Sequence, residues 1–114
     1  MESIFDQIRN EIASHDVVLF MKGNDTFPMC GFSAAVSHLL KSLRVDFKTV
    51  DILHDPELRE GIKTFSNWPT LPQLYIKGEF IGGCDIVREM YQSGELQALF
   101  TEKGIAYSHE EGRA

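Results

Sequence analysis

The sequence is poor in cysteine, with only two among 114 residues. Two thiols cannot supply the disulfide framework of a small secreted domain. A chain of this length does not need one, because it can bury roughly two-thirds of its unfolded surface. The four histidines show no zinc-ligand spacing with one another or with the cysteines. The composition therefore argues against a disulfide-stapled domain and against a structural zinc module.

Long apolar runs and an excess of positive charge are also missing. No run approaches the ~20 residues that span a bilayer, and the first fifteen residues lack the charge and apolar pattern of a signal peptide. The net charge of −6 disfavours general binding to nucleic acid, because the phosphate backbone repels it. We expect one cytoplasmic domain with free thiols and with no membrane or nucleic-acid partner.

What the sequence does contain is an alternation of helical and strand patterns. A strand, a helix and a second strand in succession imply a parallel pair with a right-handed crossover. The pattern predicts an α/β fold with a four-stranded mixed sheet flanked by helices, followed by a polar, disordered tail over 105–114. The predicted elements are a helix over 3–14, a strand over 17–21, a helix after Cys30, a strand over 45–52, a helix capped by Asp55 with Pro56 at its first position, a hairpin of 73–76 and 79–81, a helix capped by Asp85, and a last helix ending near Gly104.

One of the two cysteines lies where a helix is expected to begin. Helical periodicity starts directly after Cys30. A cysteine at a helix N-terminus faces unpaired backbone N–H groups and the positive end of the helix dipole, and both favour the thiolate. Ser33 occupies the place of the second thiol in a Cys-x-x-Cys pair. The site is therefore better suited to holding a metal or cluster than to cycling as a dithiol.

Three neighbours of Cys30 each allow two interpretations. Lys22 ends the preceding strand and either faces the thiolate across the loop or lies in solvent. Ser33 either donates a hydrogen bond to the sulfur or satisfies backbone groups in the first helical turn. Phe32 either presents an aromatic surface beside the sulfur or packs on the buried face of the helix, and we assign it to the core.

Other candidate binding residues lie where the predicted fold turns. Pro72 enters a strand, where a cis bond would direct neighbouring backbone groups toward an extended peptide. The segment 82–85 joins a strand to a helix, and Asp85 there either binds an amino-acid-like group or only caps the helix. Arg59 either clamps a carboxylate or is an exposed helical arginine. Trp68 is assigned to packing.

Five short segments occur in order along the chain: Met21-Lys22-Gly23, Pro28-Met29-Cys30-Gly31-Phe32-Ser33, Asn67-Trp68-Pro69-Thr70, Leu71-Pro72-Gln73 and Ile81-Gly82-Gly83-Cys84-Asp85. Any one of them is weak evidence, but five in order with this spacing are specific. Together they resemble a monothiol glutaredoxin of the Cys-Gly-Phe-Ser type, in its bacterial single-domain form. The resemblance covers residues 1–104 as one glutaredoxin domain and implies a thioredoxin-like fold.

The resemblance also implies that the chain binds glutathione, with each part of the tripeptide held by a different segment. The implied contacts are Lys22 and Arg59 for the glycyl carboxylate, Leu71 with cis-Pro72 for the cysteinyl part, and Gly83, Cys84 and Asp85 for the γ-glutamyl end. Leu71 departs from the phenylalanine or valine that is common in the family. The 23–29 loop resembles the longer active-site loop of this subclass, which implies at most weak thiol–disulfide oxidoreductase activity.

Ligand counting supports the family's cofactor. A [2Fe–2S] cluster takes four thiolates, and one chain offers a single well-placed thiol. Two Cys30 sulfurs and two glutathione thiols would complete the set, which implies a homodimer bridged by the cluster. The expected function is a carrier that accepts the cluster from an iron–sulfur scaffold and passes it to recipient proteins. BolA-family proteins are further partners that the resemblance suggests.

Two other functions stay open at the level of sequence. A glutathione-dependent thiol transferase needs only one thiolate, because free glutathione can resolve the intermediate. A redox-regulated adaptor would instead form a disulfide between Cys30 and Cys84 under oxidation.

Overall fold

The computed structural model describes residues 3–108. Within these residues, nine elements follow one another in the order that hydrophobic periodicity predicts. They are α1 (Ile4–Ser14), β1 (Val17–Met21), α2 (Gly31–Ser42), β2 (Lys48–Asp51), α3 (Pro56–Ser66), β3 (Gln73–Ile76), β4 (Glu79–Gly82), α4 (Cys84–Ser93) and α5 (Glu95–Glu102).

The four strands form one mixed sheet in the order β2-β1-β3-β4. β1 pairs with β2 in parallel, and the other two pairs are antiparallel. Side chains of β1 alternate between the two faces of the sheet, and each face carries its own core. The sheet is therefore covered on both sides, which confirms the predicted α/β class.

The two cores divide the helices between the faces of the sheet. Helices α1 and α3 cover one face, where Phe20 and Tyr75 are buried beneath them. Helices α2, α4 and α5 cover the other face, where Leu19 and Leu74 are buried. No helix within residues 3–108 has the length and apolar character needed to cross a membrane.

Helix α3 begins as the sequence predicts. Asp55 is the N-cap, and its Oδ1 accepts a hydrogen bond of 3.1 Å from the Leu58 N–H. Pro56 occupies the first helical position, where its missing N–H costs nothing. This cap fixes the direction in which α3 leaves the sheet and carries Arg59 toward the site.

Two predicted boundaries are wrong. Strand β2 begins at Lys48 and not at residue 45, because the Val45 N–H bonds back to the Leu40 carbonyl of α2. Asp85 is not the cap of α4, since Gly83 holds that position and the Val87 N–H closes the first turn on the Gly83 carbonyl at 3.0 Å. Asp85 lies instead in the first turn, exposed to solvent.

The predicted domain boundary at residue 104 falls too early. Ile105 is buried in the core beneath α2, α4 and α5, and its N–H bonds to the Phe100 carbonyl at 2.8 Å. The Ser108 N–H also donates to the Leu43 carbonyl at 2.7 Å. Residues 105–108 thus belong to the packed domain, because an apolar side chain anchors them. The rest of the predicted tail, 109–114, lies outside the described residues.

Candidate functional site

Cys30 is the N-cap of α2 and is half-buried at the carboxyl end of the sheet. The Ser33 backbone N–H contributes most to lowering the pKa of the thiol, and partial burial opposes it. The Phe32 N–H, the Lys22 ammonium and the Ser33 hydroxyl lower the pKa further. A helix N-terminus and a nearby cation therefore stabilise the thiolate at an accessible position.

Ser33 combines the two roles that the sequence left as alternatives. Its side chain is fully buried, and its Oγ accepts a hydrogen bond of 3.1 Å from the Lys22 N–H at the end of β1. The same hydroxyl stabilises the Cys30 thiolate. Because Oγ has one proton to donate and lone pairs to accept, a single side chain connects the sulfur to the strand.

The loop between β1 and α2 is a small hairpin held by its own backbone. Gly23 and Pro28 form an isolated β-bridge, and the Met29 N–H donates to the Lys22 carbonyl at 2.9 Å. Asn24 Oδ1 accepts from the backbone N–H groups of Thr26 and Phe27 at 2.9 and 2.8 Å. Hydrogen bonds among its own residues therefore define the conformation of the loop.

Three large apolar side chains around Cys30 point into solvent. Phe27, Met29 and Phe32 are 71, 64 and 62% exposed, and we refer to them as the apolar collar. The assignment of Phe32 to the core is wrong. Phe32 is the second residue of α2, and it lines the space in front of the thiol, whereas the helix turns its buried face to the sheet only from Ser33 onward.

A cavity of about 490 Å³ opens beside the thiol, and we refer to it as the thiol groove. Seven of the eight predicted site residues line it: Lys22, Cys30, Arg59, Leu71, Gly83, Cys84 and Asp85. The eighth, Pro72, is buried beneath it and follows a cis peptide bond, as the resemblance implied. Residues from four separate segments thus meet in one groove.

The charges in the thiol groove are unevenly distributed. Three cations, Lys22, Arg59 and Lys63, line it together with one carboxylate, that of Asp85. Lys63 has only a weak competitor, since its Nζ lies 3.4 Å from a carboxylate of the largely exposed Glu60. This arrangement favours a ligand with more carboxylates than amines.

Two hydrogen-bond donors at the thiol groove are left without protein acceptors. Within residues 3–108, the buried Nε of Arg59 and the buried Nε1 of Trp68 have no partner. A Cβ added to Gly83 would lie 3.3 Å from that Trp68 Nε1 and 3.4 Å from the Pro72 carbonyl oxygen. Glycine therefore keeps open the space between these groups, as expected where a backbone must approach a ligand.

Two residues that line the thiol groove, Lys63 and Trp68, are not among the predicted site residues. Lys63 lies four residues after Arg59 on α3 and so shares its face, a spacing that could have identified it. Trp68 packs on Phe80 with ring centroids 5.8 Å apart, as the packing assignment holds, yet it also lines the thiol groove. Nothing in the local sequence distinguishes these two uses of a tryptophan.

The second cysteine differs from the first in its environment. Cys84 is 8% exposed and belongs to the core beneath α2 and α4, although it also borders the thiol groove. Within residues 3–108 no three histidine, cysteine or acidic side chains come together as a metal site. One protomer therefore presents one accessible thiolate beside a groove suited to a short anionic peptide.

Comparison with known proteins agrees with this geometry. The glutaredoxin family model matches residues 17–81. A probable monothiol glutaredoxin 2 of Rickettsia conorii is 57% identical over 95 residues, which cover 83% of this chain and 89% of the relative.

Two solved structures share the fold. A monomeric truncated mutant of 1-C-Grx1 from Trypanosoma brucei superposes with a TM-score of 0.83 at 41% identity, covering 94% of this chain and 96% of that one. A buckwheat glutaredoxin–glutathione complex superposes with a TM-score of 0.78 at 25% identity, covering 89% and 90% of the two chains. The chain therefore belongs to the glutaredoxin family, with a thioredoxin-like fold and the single-domain length of its bacterial monothiol relatives.

Proposed function

We propose that the thiol groove binds glutathione. The tripeptide carries two carboxylates, one ammonium group and a thiol on an extended backbone. Lys22, Arg59 and Lys63 match one carboxylate, and the buried Arg59 Nε gains an acceptor that residues 3–108 do not provide. The buckwheat relative of the same fold was solved with glutathione.

The γ-glutamyl end fits the opposite wall of the groove. Helix α4 starts there with Cys84 and has no side-chain cap, so its first N–H groups remain available to a carboxylate. Asp85 in the same turn is exposed and can pair with the ammonium group. The cysteinyl part then extends along Leu71 toward Cys30, which brings two sulfurs to one place.

The bound thiol and Cys30 together form half of a cluster site. A [2Fe–2S] cluster takes four thiolates, whereas each protomer offers one accessible cysteine. Two protomers with two glutathiones supply all four. The observation that carries this proposal is the single stabilised thiolate at the rim of a groove shaped for a second, diffusible thiol.

The apolar collar favours the same assembly. Phe27, Met29 and Phe32 surround the thiol and are exposed in the monomer. A second copy seated on the cluster would cover them and exclude water from the iron. We therefore propose that the chain carries [2Fe–2S] clusters as a homodimer bridged by its cargo. It would receive clusters from an iron–sulfur scaffold, deliver them to recipient proteins and pair with BolA-family proteins, in a compartment that contains reduced glutathione.

Anaerobic reconstitution with iron, sulfide and glutathione tests this function. The parent protein should gain the visible absorption of a [2Fe–2S] cluster and double its mass in size-exclusion chromatography. Cys30→Ser should stay colourless and monomeric, while Cys84→Ser serves as the matched control. A colourless parent, or a coloured Cys30→Ser, would refute the proposal.

A thiol transferase is the second candidate, and the lowered pKa of Cys30 favours it. The thiolate would attack the glutathione sulfur of a mixed disulfide and release the protein thiol. A second glutathione would then attack the Cys30–glutathione disulfide, giving oxidised glutathione and free Cys30. Steady-state turnover of a glutathionylated peptide, compared with that of a dithiol glutaredoxin, distinguishes this enzyme from a carrier.

The redox adaptor is the third candidate, since Cys30 and Cys84 both border the thiol groove. Thiol counting after mild oxidation, with and without Cys84→Ser, tests it. Loss of both free thiols only in the parent would support the disulfide.

A further inference from the structure

The loop that carries Cys30 is tied at its base to the neighbouring strand. Asp51 is the last residue of β2 and lies beside Met21 in the parallel register. Its Oδ1 accepts a hydrogen bond of 3.0 Å from the Gly23 N–H and another of 2.8 Å from the Leu53 N–H. One carboxylate oxygen thus joins the start of the 23–29 loop to the connection that leads into α3.

Gly23 depends on this acceptor. Strand pairing of β1 with β2 ends at Met21, whose carbonyl accepts a hydrogen bond of 3.0 Å from the Ile52 N–H. Gly23 then turns away with φ +86°, and a Cβ there would lie 2.4 Å from the Phe27 carbonyl oxygen. Its buried N–H lies beyond the last residue pair of β1 and β2, and a buried N–H needs a hydrogen-bond acceptor. Asp51 supplies that partner from outside the loop.

Two different elements hold the loop: Lys41 Nζ on α2 donates to the Asp25 carbonyl near its tip at 2.6 Å, and Asp51 on β2 holds its base. The Gly23–Pro28 bridge and the Met29 N–H to Lys22 carbonyl bond hold its two sides together. Lys22 directly precedes the 23–29 loop, and Cys30 directly follows it. A shift of the base would therefore move the ammonium group and the thiol together relative to α3 and α4, which form the rest of the groove.

We propose that Asp51 is a positioning residue, whose acceptor oxygen fixes the loop so that Lys22 and Cys30 face Arg59 and Asp85 across the thiol groove. Asp51 does not itself line the groove. What it contributes is an oxygen at a fixed place, and the negative charge is secondary. This inference deepens the proposed function and rests on it only for the binding measurement, because the order of the loop can be measured without ligand.

Two substitutions separate the position of the oxygen from its charge. Asp51→Asn keeps Oδ1 in place and removes the charge, whereas Asp51→Glu keeps the charge and displaces the oxygen by one methylene. Both retain a polar side chain of similar size, which favours folding. Asp46, an exposed aspartate just before β2, provides the matched control through Asp46→Asn and Asp46→Glu.

Amide hydrogen exchange of the ligand-free variants is the first measurement, and affinity for S-methylglutathione is the second. We expect Asp51→Glu to speed exchange at Gly23 and Met29 by about tenfold or more and to weaken affinity by a similar factor, while Asp51→Asn and the Asp46 variants stay close to the parent. Impairment of Asp51→Asn, or parent-like behaviour of Asp51→Glu, would overturn the assignment. If the parent bound no glutathione, the exchange result would still decide the role of Asp51.

Discussion

Replacing Arg59 should weaken binding of the proposed ligand without lowering the stability of the free protein. The buried Nε of Arg59 has no acceptor within residues 3–108, although the side chain lines the thiol groove. An unsatisfied buried donor costs about 1–3 kcal/mol of desolvation that no hydrogen bond offsets. Arg59→Met keeps an unbranched aliphatic side chain and removes the donor. We therefore expect the free protein to be as stable as the parent or more stable.

Binding should change the other way. A charge-assisted hydrogen bond to a ligand carboxylate contributes about 1.5–3 kcal/mol, and each 1.4 kcal/mol is a factor of about ten in Kd. Loss of Arg59 should thus weaken binding of S-methylglutathione by roughly 10- to 100-fold. A change of about 1 kcal/mol in the free energy of unfolding shifts the Tm of a domain near this size by about 4–8 °C. A gain in stability on removing the buried donor is therefore measurable.

Titration calorimetry and thermal unfolding of the same samples provide the test. Arg88→Met is the matched control, because Arg88 is an exposed arginine on α4 that does not line the thiol groove. It should leave both affinity and Tm unchanged. A drop of several degrees in Tm for Arg59→Met with unaltered affinity would refute the reasoning, since it would make Arg59 a structural residue.

Three further predictions follow from the same geometry. Cys84→Ser should retain most cluster absorbance after reconstitution, because Cys84 is largely buried and its proposed contact with glutathione is through its backbone. Complete loss of colour would contradict this. Since backbone N–H groups and Lys22 lower the pKa of Cys30, its alkylation by iodoacetamide should persist below the pH at which a free cysteine stops reacting. Lys22→Gln should raise that pKa only in part, because the backbone donors remain, and a full return to free-cysteine behaviour would contradict the ranking. Burial raises the pKa of Tyr75 to about 12, so stability should fall as pH rises from about 10 to 12, and urea unfolding of Tyr75→Phe should lack that fall.

Periodicity predicted strand bounds well where burial and pairing coincide. β1 and β3 are continuous apolar runs whose residues both pair and pack, so both bounds match the structure. The first part of the predicted β2 is different. Val45 is buried and Phe47 packs against the same core, yet neither lies within the strand. Apolar patterning reports contact with the core, and it does not report which backbone groups find a sheet partner.

The thiol groove shows the same difference: sequence indicates where a residue lies along the chain better than it indicates which environment the side chain enters. Seven residues that the family resemblance implies line one groove, because caps, turns and strand ends constrain where a backbone can go. Phe32 was assigned to the wrong environment, since an apolar residue at the start of a helix fits either the core or the rim. Asp51 gave no local signal at all. Its partner Gly23 is 28 residues away in the chain, so only the parallel register brings them together.

The structure of the thiol groove gives a physical reason why a single thiol would suit the proposed carrier. The loop is held by hydrogen bonds among its own residues, by Lys41 and by Asp51, so little ordering entropy would remain for the proposed ligand to overcome. The donors of Arg59 and Trp68 that have no partner within residues 3–108 would add affinity for the proposed tripeptide without adding a covalent bond. In the proposed assembly, half of the iron ligands would then belong to a molecule that exchanges with solvent. A recipient with cysteines of its own could replace those two thiols first and leave Cys30 as the last attachment. A dithiol site would hold its metal through the chelate of one chain and would release it less readily, so in the proposed assembly Ser33 at the position of a second thiol would leave the held cluster transferable.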